Sequence, residues 1–379
     1  MIYMDNAATT KVYGECNDII RHYNEELYYN PSALYGMAAK AVAAVEEARG
    51  KIAHCLGCDS SEVLFTASGS EADNIALTCS LRRKGGDIII SSTEHAAIYN
   101  TAKELENRGY RLIILPTDRH GRVDIAALES ALGKDTRLVS VMHVSNDTGA
   151  LNDIAQIAYL TRKLAPTALI HSDGVQALGK VYTDVRELGV DMYSVSGHKV
   201  HGPKGVGALY VSKRVHLSPF VYGGGQEKGV RSATENVAGI CAFAYAAGVK
   251  CGQLDSKNKD IRAIRDALAS KIGQSVQDVV INTDIDNSAP HILSIAVAGV
   301  RGEVLAHCLE DRGIIAGTGS ACSARKADRR IAGALALDDK YAGGILRLSL
   351  SEYNTVQEAE AVVCAIKEET ENLRRYIKR

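Results

Sequence analysis

The sequence predicts an α/β protein: a doubly wound, mainly parallel seven-stranded sheet joined to a smaller α+β domain. Three observations predict it. Between residues 62 and 211, short apolar runs alternate with helix-like stretches, the rhythm of a parallel sheet covered on both faces. That rhythm stops near Tyr222-Gly-Gly-Gly-Gln226, and helical patterns followed by isolated apolar runs take over. At 379 residues the chain is too long for one small core and long enough to bury a deep cleft.

Taken in order, Leu34, Met37, Ala38, Ala41, Val45, Ala48 and Ile52 recur at helical spacing, which predicts one long amphipathic helix over 34–56 lying against a core. Strands are predicted at Glu62 to Thr66, Asp87 to Ser91, Arg111 to Leu115, Arg137 to His143, Ala168 to Ser172, Asp191 to Val195 and Val206 to Val211. Helices follow at Thr234 to Cys251 and Asp255 to Ile272. Apolar runs at Ile292 to Val297 and Ile345 to Leu350 and a charged helix from Val356 complete a second domain that begins near Gln253. No internal repeat, low-complexity tract or long linker interrupts the chain.

A hydrophobic fraction of 46%, a formal net charge of −1 and a pI near 6.8 give no general attraction to nucleic acid or to a membrane surface. No apolar run reaches membrane-spanning length, and "MIYMDNAATT" has no basic segment followed by an apolar one. The cytoplasm is the expected compartment. Nine scattered cysteines are expected to be reduced, since they do not resemble the framework of a small secreted domain. Cys55-Leu-Gly-Cys58 is the one CxxC. With no second CxxC to complete a tetrahedral metal site, it reads as two structural cysteines, and no metal is expected.

In open α/β sheets, ligands bind beyond the carboxyl ends of the strands. After the first strand comes Thr66-Ala-Ser-Gly-Ser-Glu71, small polar residues opening a helix, where free N–H groups and the helix dipole favour a phosphate. His95 follows the second strand, Asn146 the fourth and Asp173 the fifth. Lys199 sits in the turn between the sixth and seventh. A lysine in such a turn is most often simply solvated, and a serine before a helix is most often only its cap. At one cleft these groups mean more. A desolvated lysine can form a Schiff base with a carbonyl, and a phosphate cradle, a carboxylate and such a lysine together are what pyridoxal 5'-phosphate requires.

With those residues in place, the chain resembles the cysteine desulfurases of the NifS/IscS type, group I, within the class V aminotransferases. The resemblance runs in order through "YMDNAATT", "YNPSALYG", "ASGSEADN", "TEHAAI", "VSNDTGA", "HSDGVQALGK", "SGHKVHGPKGVGALYV", "GGGQEKGVRSATENV", "GTGSACSARK" and "LRLSLSEYNT". It implies a fold type I PLP-dependent transferase and a homodimer. It also implies a large cofactor-binding domain over 15–252 and a small domain from 1–14 and 253–379. By motif, Lys199 resembles the Schiff-base lysine, Asp173 the partner of the pyridinium nitrogen and Gln176 the donor to the phenolic oxygen. His95 resembles the imidazole stacked on the ring and a proton shuttle. Ser70, Glu71, Ser196 and His198 resemble the phosphate cradle, and Thr234 the residue that reaches the phosphate of the other subunit. Asn146 and Arg347 match the positions that hold the substrate carboxylate.

Cys322, within Gly317-Thr-Gly-Ser-Ala-Cys-Ser323, matches the cysteine that takes sulfur from L-cysteine, becoming a persulfide and leaving L-alanine. The sulfur then passes to an acceptor protein, a tRNA-thiolation enzyme or an iron–sulfur scaffold. The stretch Ser323-Ala-Arg-Lys-Ala-Asp-Arg-Arg330 replaces a longer scaffold-binding version and is similar to the variant that serves tRNA thiolation. Its basic residues Arg325, Lys326, Arg329 and Arg330 read as a solvated face or as a dock for an acidic acceptor.

Three departures stand out. Ser145-Asn146-Asp147 replaces Asn-Asn-Glu, and Gly174-Val175-Gln176 replaces Ala-Thr-Gln. Ala233 replaces a glycine beside Thr234, at a cost of about 1 kcal/mol if that position needs a positive φ. Another class V activity, an aminotransferase or selenocysteine lyase, would keep Lys199 and Asp173 without needing Cys322. A catalytically idle scaffold would need none of them.

Overall fold

The computed structural model describes residues 1–318 and 327–377. Strand β1 (Ile2–Met4) precedes two helices, α1 (Gly14–Glu25) and α2 (Gly36–Leu56). The second is the long helix expected from periodicity, and it ends where Gly57 adopts a left-handed φ of 69°. It starts two residues later than expected, and Leu34 lies outside it, fully exposed.

The seven expected strands all form, two with the expected ends and the others with ends shifted by one to three residues. β2 (Val63–Thr66), α3 (Gly69–Cys79), β3 (Asp87–Ser91), α4 (Ala96–Asn107), β4 (Arg111–Leu115), α5 (Ile125–Ala131), β5 (Thr136–Ser140), α6 (Ile154–Leu164), β6 (Leu169–Asp173), α7 (Val185–Leu188), β7 (Met192–Ser196) and β8 (Gly207–Val211) follow in turn. They assemble in the order β2-β8-β7-β6-β5-β3-β4. The strands from β3 to β7 pair in parallel, and β8 runs antiparallel to both its neighbours.

Alternation along the strands divides the core in two. Ile88, Ile90, Leu138, Met192 and Leu209 pack under α3 and α4. Ile89, Val139, Val195, Ala208 and Tyr210 face the other way, onto α2, α6 and the next helix, α8 (Val237–Gly252). Helices on both faces leave only the strand ends open for a site.

The remaining elements are α9 (Leu254–Ser275), β9 (Val279–Ile281), β10 (Ile292–Val297), α10 (Gly302–Asp311), β11 (Ile314–Ala316), α11 (Ala327–Ala334), α12 (Asp339–Ala342), β12 (Ile345–Ser349) and α13 (Val356–Ile377). An antiparallel sheet, β12-β10-β9, packs Leu293, Ile295, Leu346 and Leu348 against α9, α10 and α13. β1 pairs in parallel with β11 and inserts Met4 into this second core. Among the described residues, no single helix is long and apolar enough to cross a membrane.

Two glycines show how tightly this second unit is built. A Cβ on Gly302 would lie 2.0 Å from the carbonyl oxygen of Ile345, whereas one on the exposed Gly273 of α9 would meet nothing within 4 Å. Gly302→Ala is expected to lower unfolding stability by about 1–3 kcal/mol. Gly273→Ala is expected to raise it by about 0.5–1 kcal/mol through a stiffer unfolded chain. Thermal unfolding of the two variants beside the parent checks both signs.

Candidate active site

The carboxyl ends of β3, β5, β6 and β7 share one edge of the sheet, and the expected residues cluster there. β2 delivers the opening of α3, where Ser68 caps the helix by accepting from the Glu71 N–H at 3.1 Å. The first N–H groups of a helix lack partners within it, so Gly69 and Ser70 present donors at the positive end of the dipole. Gly69 is required by space. A Cβ there would fall 2.5 Å from Val175 Cγ2 and 3.3 Å from Ser196 Cβ. Ser196, at the end of β7, keeps a buried hydroxyl with no hydrogen-bond partner. His198 is held neutral, its pKa pushed down to about 3 by burial and by Lys199, Lys180 and Lys204.

Not every expected cradle residue turns toward this space. Glu71 turns its carboxylate back, accepting from the Ala67 N–H at 2.9 Å and pairing with Arg231 at 2.7 Å. A second anion beside a phosphate would repel it, so that arrangement suits an anion site better than the direct contact expected. Thr234 and Ala233 are exposed on this chain. Ala233 is not among the residues with positive φ, so the backbone penalty considered for it does not arise.

Lys199 closes a single 3-10 turn (Gly197–Lys199) between β7 and β8. Its Nζ donates to the carbonyls of Ala7 at 2.5 Å and Ala8 at 2.7 Å. Gln176 Nε2 reaches the same Ala7 oxygen at 2.9 Å, and its Oε1 lies 3.2 Å from His291 Nε2. The N-terminal segment therefore forms a wall of the cleft. Its two carbonyls and His291 were not legible as site residues, because nothing local in "NAATT" or "APHIL" marks them.

Asp173, the last residue of β6, is buried, with Oδ1 accepting from the Val175 N–H at 2.9 Å. Burial raises its pKa, and His95 and Lys199 pull the other way. Two more acids lie near it. Asp73 is raised well above the ordinary carboxylate range, by burial first and then by Asp173. Glu94 is pushed up to about 8 by burial, although Ser91 and the Met142 N–H both donate to its Oε1. Behind the sheet edge His143 and His171 are neutral, driven down to about 4 and about 3 by burial.

His95 caps α4, its Nδ1 accepting from the Ala97 N–H at 3.1 Å. In the neutral ring this leaves the proton on Nε2. The turn that carries it is clamped from α11. Arg330 donates to the carbonyls of Ser92 at 2.6 Å and Glu94 at 2.8 Å and stacks on Tyr99 at 4.6 Å. Arg330 is therefore no solvated cation.

Arg347, on β12, is buried. Its Nη1 donates to the Asn146 carbonyl at 2.7 Å and its Nη2 to Asp5 at 2.9 Å. Its Nε and the Asn146 Oδ1 are both buried without partners. Gly317 exchanges two backbone hydrogen bonds with Arg347, at 3.0 and 2.7 Å. Gly174 has a direct cause too. A Cβ would sit 1.9 Å from the Tyr193 ring, whose hydroxyl bonds His143 Nδ1 at 2.7 Å, so alanine cannot stand there. Cys322, with Arg325 and Lys326, lies outside the described residues.

An orphaned serine hydroxyl beside a helix N-terminus, a buried carboxyl and a lysine at the turn fit pyridoxal 5'-phosphate. The fold and site define a fold type I PLP-dependent enzyme, with Ser196, His198 and the α3 terminus suited to the phosphate, Asp173 to the ring nitrogen and Lys199 to the carbonyl. Residues 2–362 match the family described as aminotransferase class V, and the chain belongs to that family, in its NifS/IscS cysteine desulfurase branch. A "NifS/IcsS protein homolog" of Lactobacillus delbrueckii subsp. bulgaricus is 40% identical over 97% of this chain and 97% of its own. A cysteine desulfurase of Trichormus azollae is 35% identical over 99% and 94%. The solved structure of a NifS-like protein superposes with a TM-score of 0.92 at 33% identity, covering 98% of this chain and 99% of its own.

The raised acid at Glu94 fixes the sign of one pH effect. The folded chain keeps this proton to about pH 8, whereas the unfolded chain releases it near 4.5, so the folded state binds more protons across that window. The group's contribution to stability is full below 4.5 and is lost as pH rises toward 8. Glu94→Gln is expected to flatten the fall in stability between pH 5 and 9 by a few kcal/mol. Denaturant unfolding of the two holoenzymes at both pH values reads this difference, and parallel profiles would refute it.

Proposed function

We propose that this chain is a cysteine desulfurase that converts L-cysteine to L-alanine and places the sulfur on Cys322 as a persulfide. The observation that carries the reading is the orphaned guanidinium nitrogen of Arg347, next to Asn146. Arg347 Nε is buried without a partner, and so is one atom of the Asn146 amide; a small amino acid offers the carboxylate that the guanidinium lacks, with the Asn146 side chain beside it to hold the same group. The backbone that leads to Cys322 departs from this point, since Gly317 is paired with Arg347 and stands five residues before the cysteine. The relatives' activity supports the same substrate.

Pyridoxal phosphate bound there supplies an electron sink for the charge left on Cα when its proton is removed. The chain supplies the rest. Lys199 Nζ takes the Cα proton and later returns one, and Asp173 keeps the ring nitrogen protonated. Gln176 donates to the phenolic oxygen. His95, holding a proton on Nε2, covers the ring face and shuttles to Cβ the proton that this carbon needs once its sulfur has left. Cys322, as the thiolate, attacks the substrate sulfur as the Cβ–Sγ bond breaks, so the sulfur stays on the enzyme.

The reading extends to a homodimer. Thr234 reaches the partner's phosphate, and exposed Tyr28, Leu34, Tyr35, Phe220 and Tyr222 provide apolar area to cover. The division into a large domain over 15–252 and a small one from 1–14 and 253–379 belongs to the same reading. So do a cytoplasmic location and an acceptor protein in tRNA thiolation or iron–sulfur assembly.

Intact mass and peptide mapping after incubation with L-cysteine test the proposal. One added sulfur on the Cys322 peptide with release of alanine is expected, both lost in Cys322→Ala. A cofactor-loaded enzyme that gives neither would sink it. Arg347→Met should lower kcat/KM for cysteine by about 10–100-fold, mostly through KM, in steady-state alanine assays.

A further inference from the structure

The cysteine that would complete a CxxC pair with Cys55 is not its partner in the fold. Cys58 packs against the large core, and its thiol is pushed up to about 12, by burial first and then by Glu62. Cys55, at the end of α2, instead hydrogen-bonds Cys251, at the end of α8. A cavity of about 700 Å³ opens onto both thiols, with His54, Gly179, Tyr182 and Leu254 among its walls. That volume is in the range of small-molecule sites, roughly 300–1,000 Å³.

The two thiols are not equivalent. Cys251 is held below the ordinary thiol range, first by the hydrogen bond from Cys55 and then by the Gly179 N–H and Lys250. Cys55 is raised by the same hydrogen bond and by burial. Cys251 is also the partly exposed member and Cys55 the buried one, so Cys251 is reached first from the cavity and Cys55 stands behind it, the division of labour of an exchanging dithiol.

We infer that Cys55 and Cys251 form a redox-active dithiol that exchanges with low-molecular-weight disulfides of the cystine class, admitted through this cavity. The Cys251 thiolate attacks one sulfur of cystine. A Cys251–cysteine bond forms, the cystine S–S bond breaks, and one cysteine leaves and takes up a proton. Cys55 then gives its proton to solvent and attacks the Cys251 sulfur, closing the protein disulfide and releasing the second cysteine. Two protein thiols are oxidised, one cystine is reduced to two cysteines, and no other oxidant is needed. The new bond would join α2 to the corner where α8 turns by 76° into α9.

The test uses reduced holoenzyme, incubated with cystine without other thiols, alkylated and digested without reduction. A Cys55–Cys251 cross-linked peptide that dithiothreitol reverses is expected. In Cys55→Ser the mixed disulfide should be trapped on Cys251. In Cys251→Ser the modification of Cys55 should slow at least about tenfold. The mapping keeps Cys322 and the exposed Cys364 separate from the pair. Recovery of free Cys251 in the wild type while Cys364 is fully modified would overturn the inference, as would a Cys55–Cys58 cross-link.

Discussion

A guanidinium taken out of water must be given partners, and at Arg347 those partners come from every part of the chain. Its hydrogen bonds run to Asp5 beside β1, to the Asn146 carbonyl after β5 and, through its backbone, to Gly317 beyond β11. Leaving a buried charge unpaired costs several kcal/mol, so these segments are bound to meet wherever Arg347 is buried. The small antiparallel sheet, the N-terminal strap and the large sheet are drawn together by that one requirement. The Nε of Arg347, left without a partner, is a donor that a further carboxylate can satisfy.

The charge pattern around Lys199 follows a related logic. Burial pushes the Glu94 carboxyl up to about 8 and raises that of Asp73, and it keeps His143, His171 and His198 neutral. The interior near the strand ends therefore holds few net charges for its many titratable groups. In that setting a charge arriving with a ligand interacts strongly with Asp173 and Lys199, because little else screens it.

Much of this was legible in the sequence, for identifiable reasons. Ile88, Ile89 and Ile90 are buried on both faces of a parallel strand, so the run is continuous and easily seen. Asp173, Lys199 and His95 stand at strand ends, where sequence position alone implies convergence. Ala7, Ala8 and His291 were illegible because their roles come from backbone carbonyls and long-range packing. The motif position of Glu71 could not reveal that Arg231 and the Ala67 N–H hold its carboxylate. The Cys55-x-x-Cys58 spacing reads as two structural cysteines and could not show that Cys55 and Cys251 would line one cavity. Leu34 satisfied the helical period yet lies before the helix, since periodicity cannot show where a helix begins.

The N-terminal strap has a consequence for how the chain matures. Lys199 contacts Ala7 across 192 residues, and Asn6 bonds the Ser349 carbonyl across 343. During synthesis the strap emerges long before β12, yet its resting place exists only after β12 has left the ribosome. The large sheet, with its more local pairings, can form earlier. The cleft is therefore closed late, when an early segment of the chain meets a much later one, and a nascent chain stalled before β12 would hold a formed sheet with an open, unwalled site.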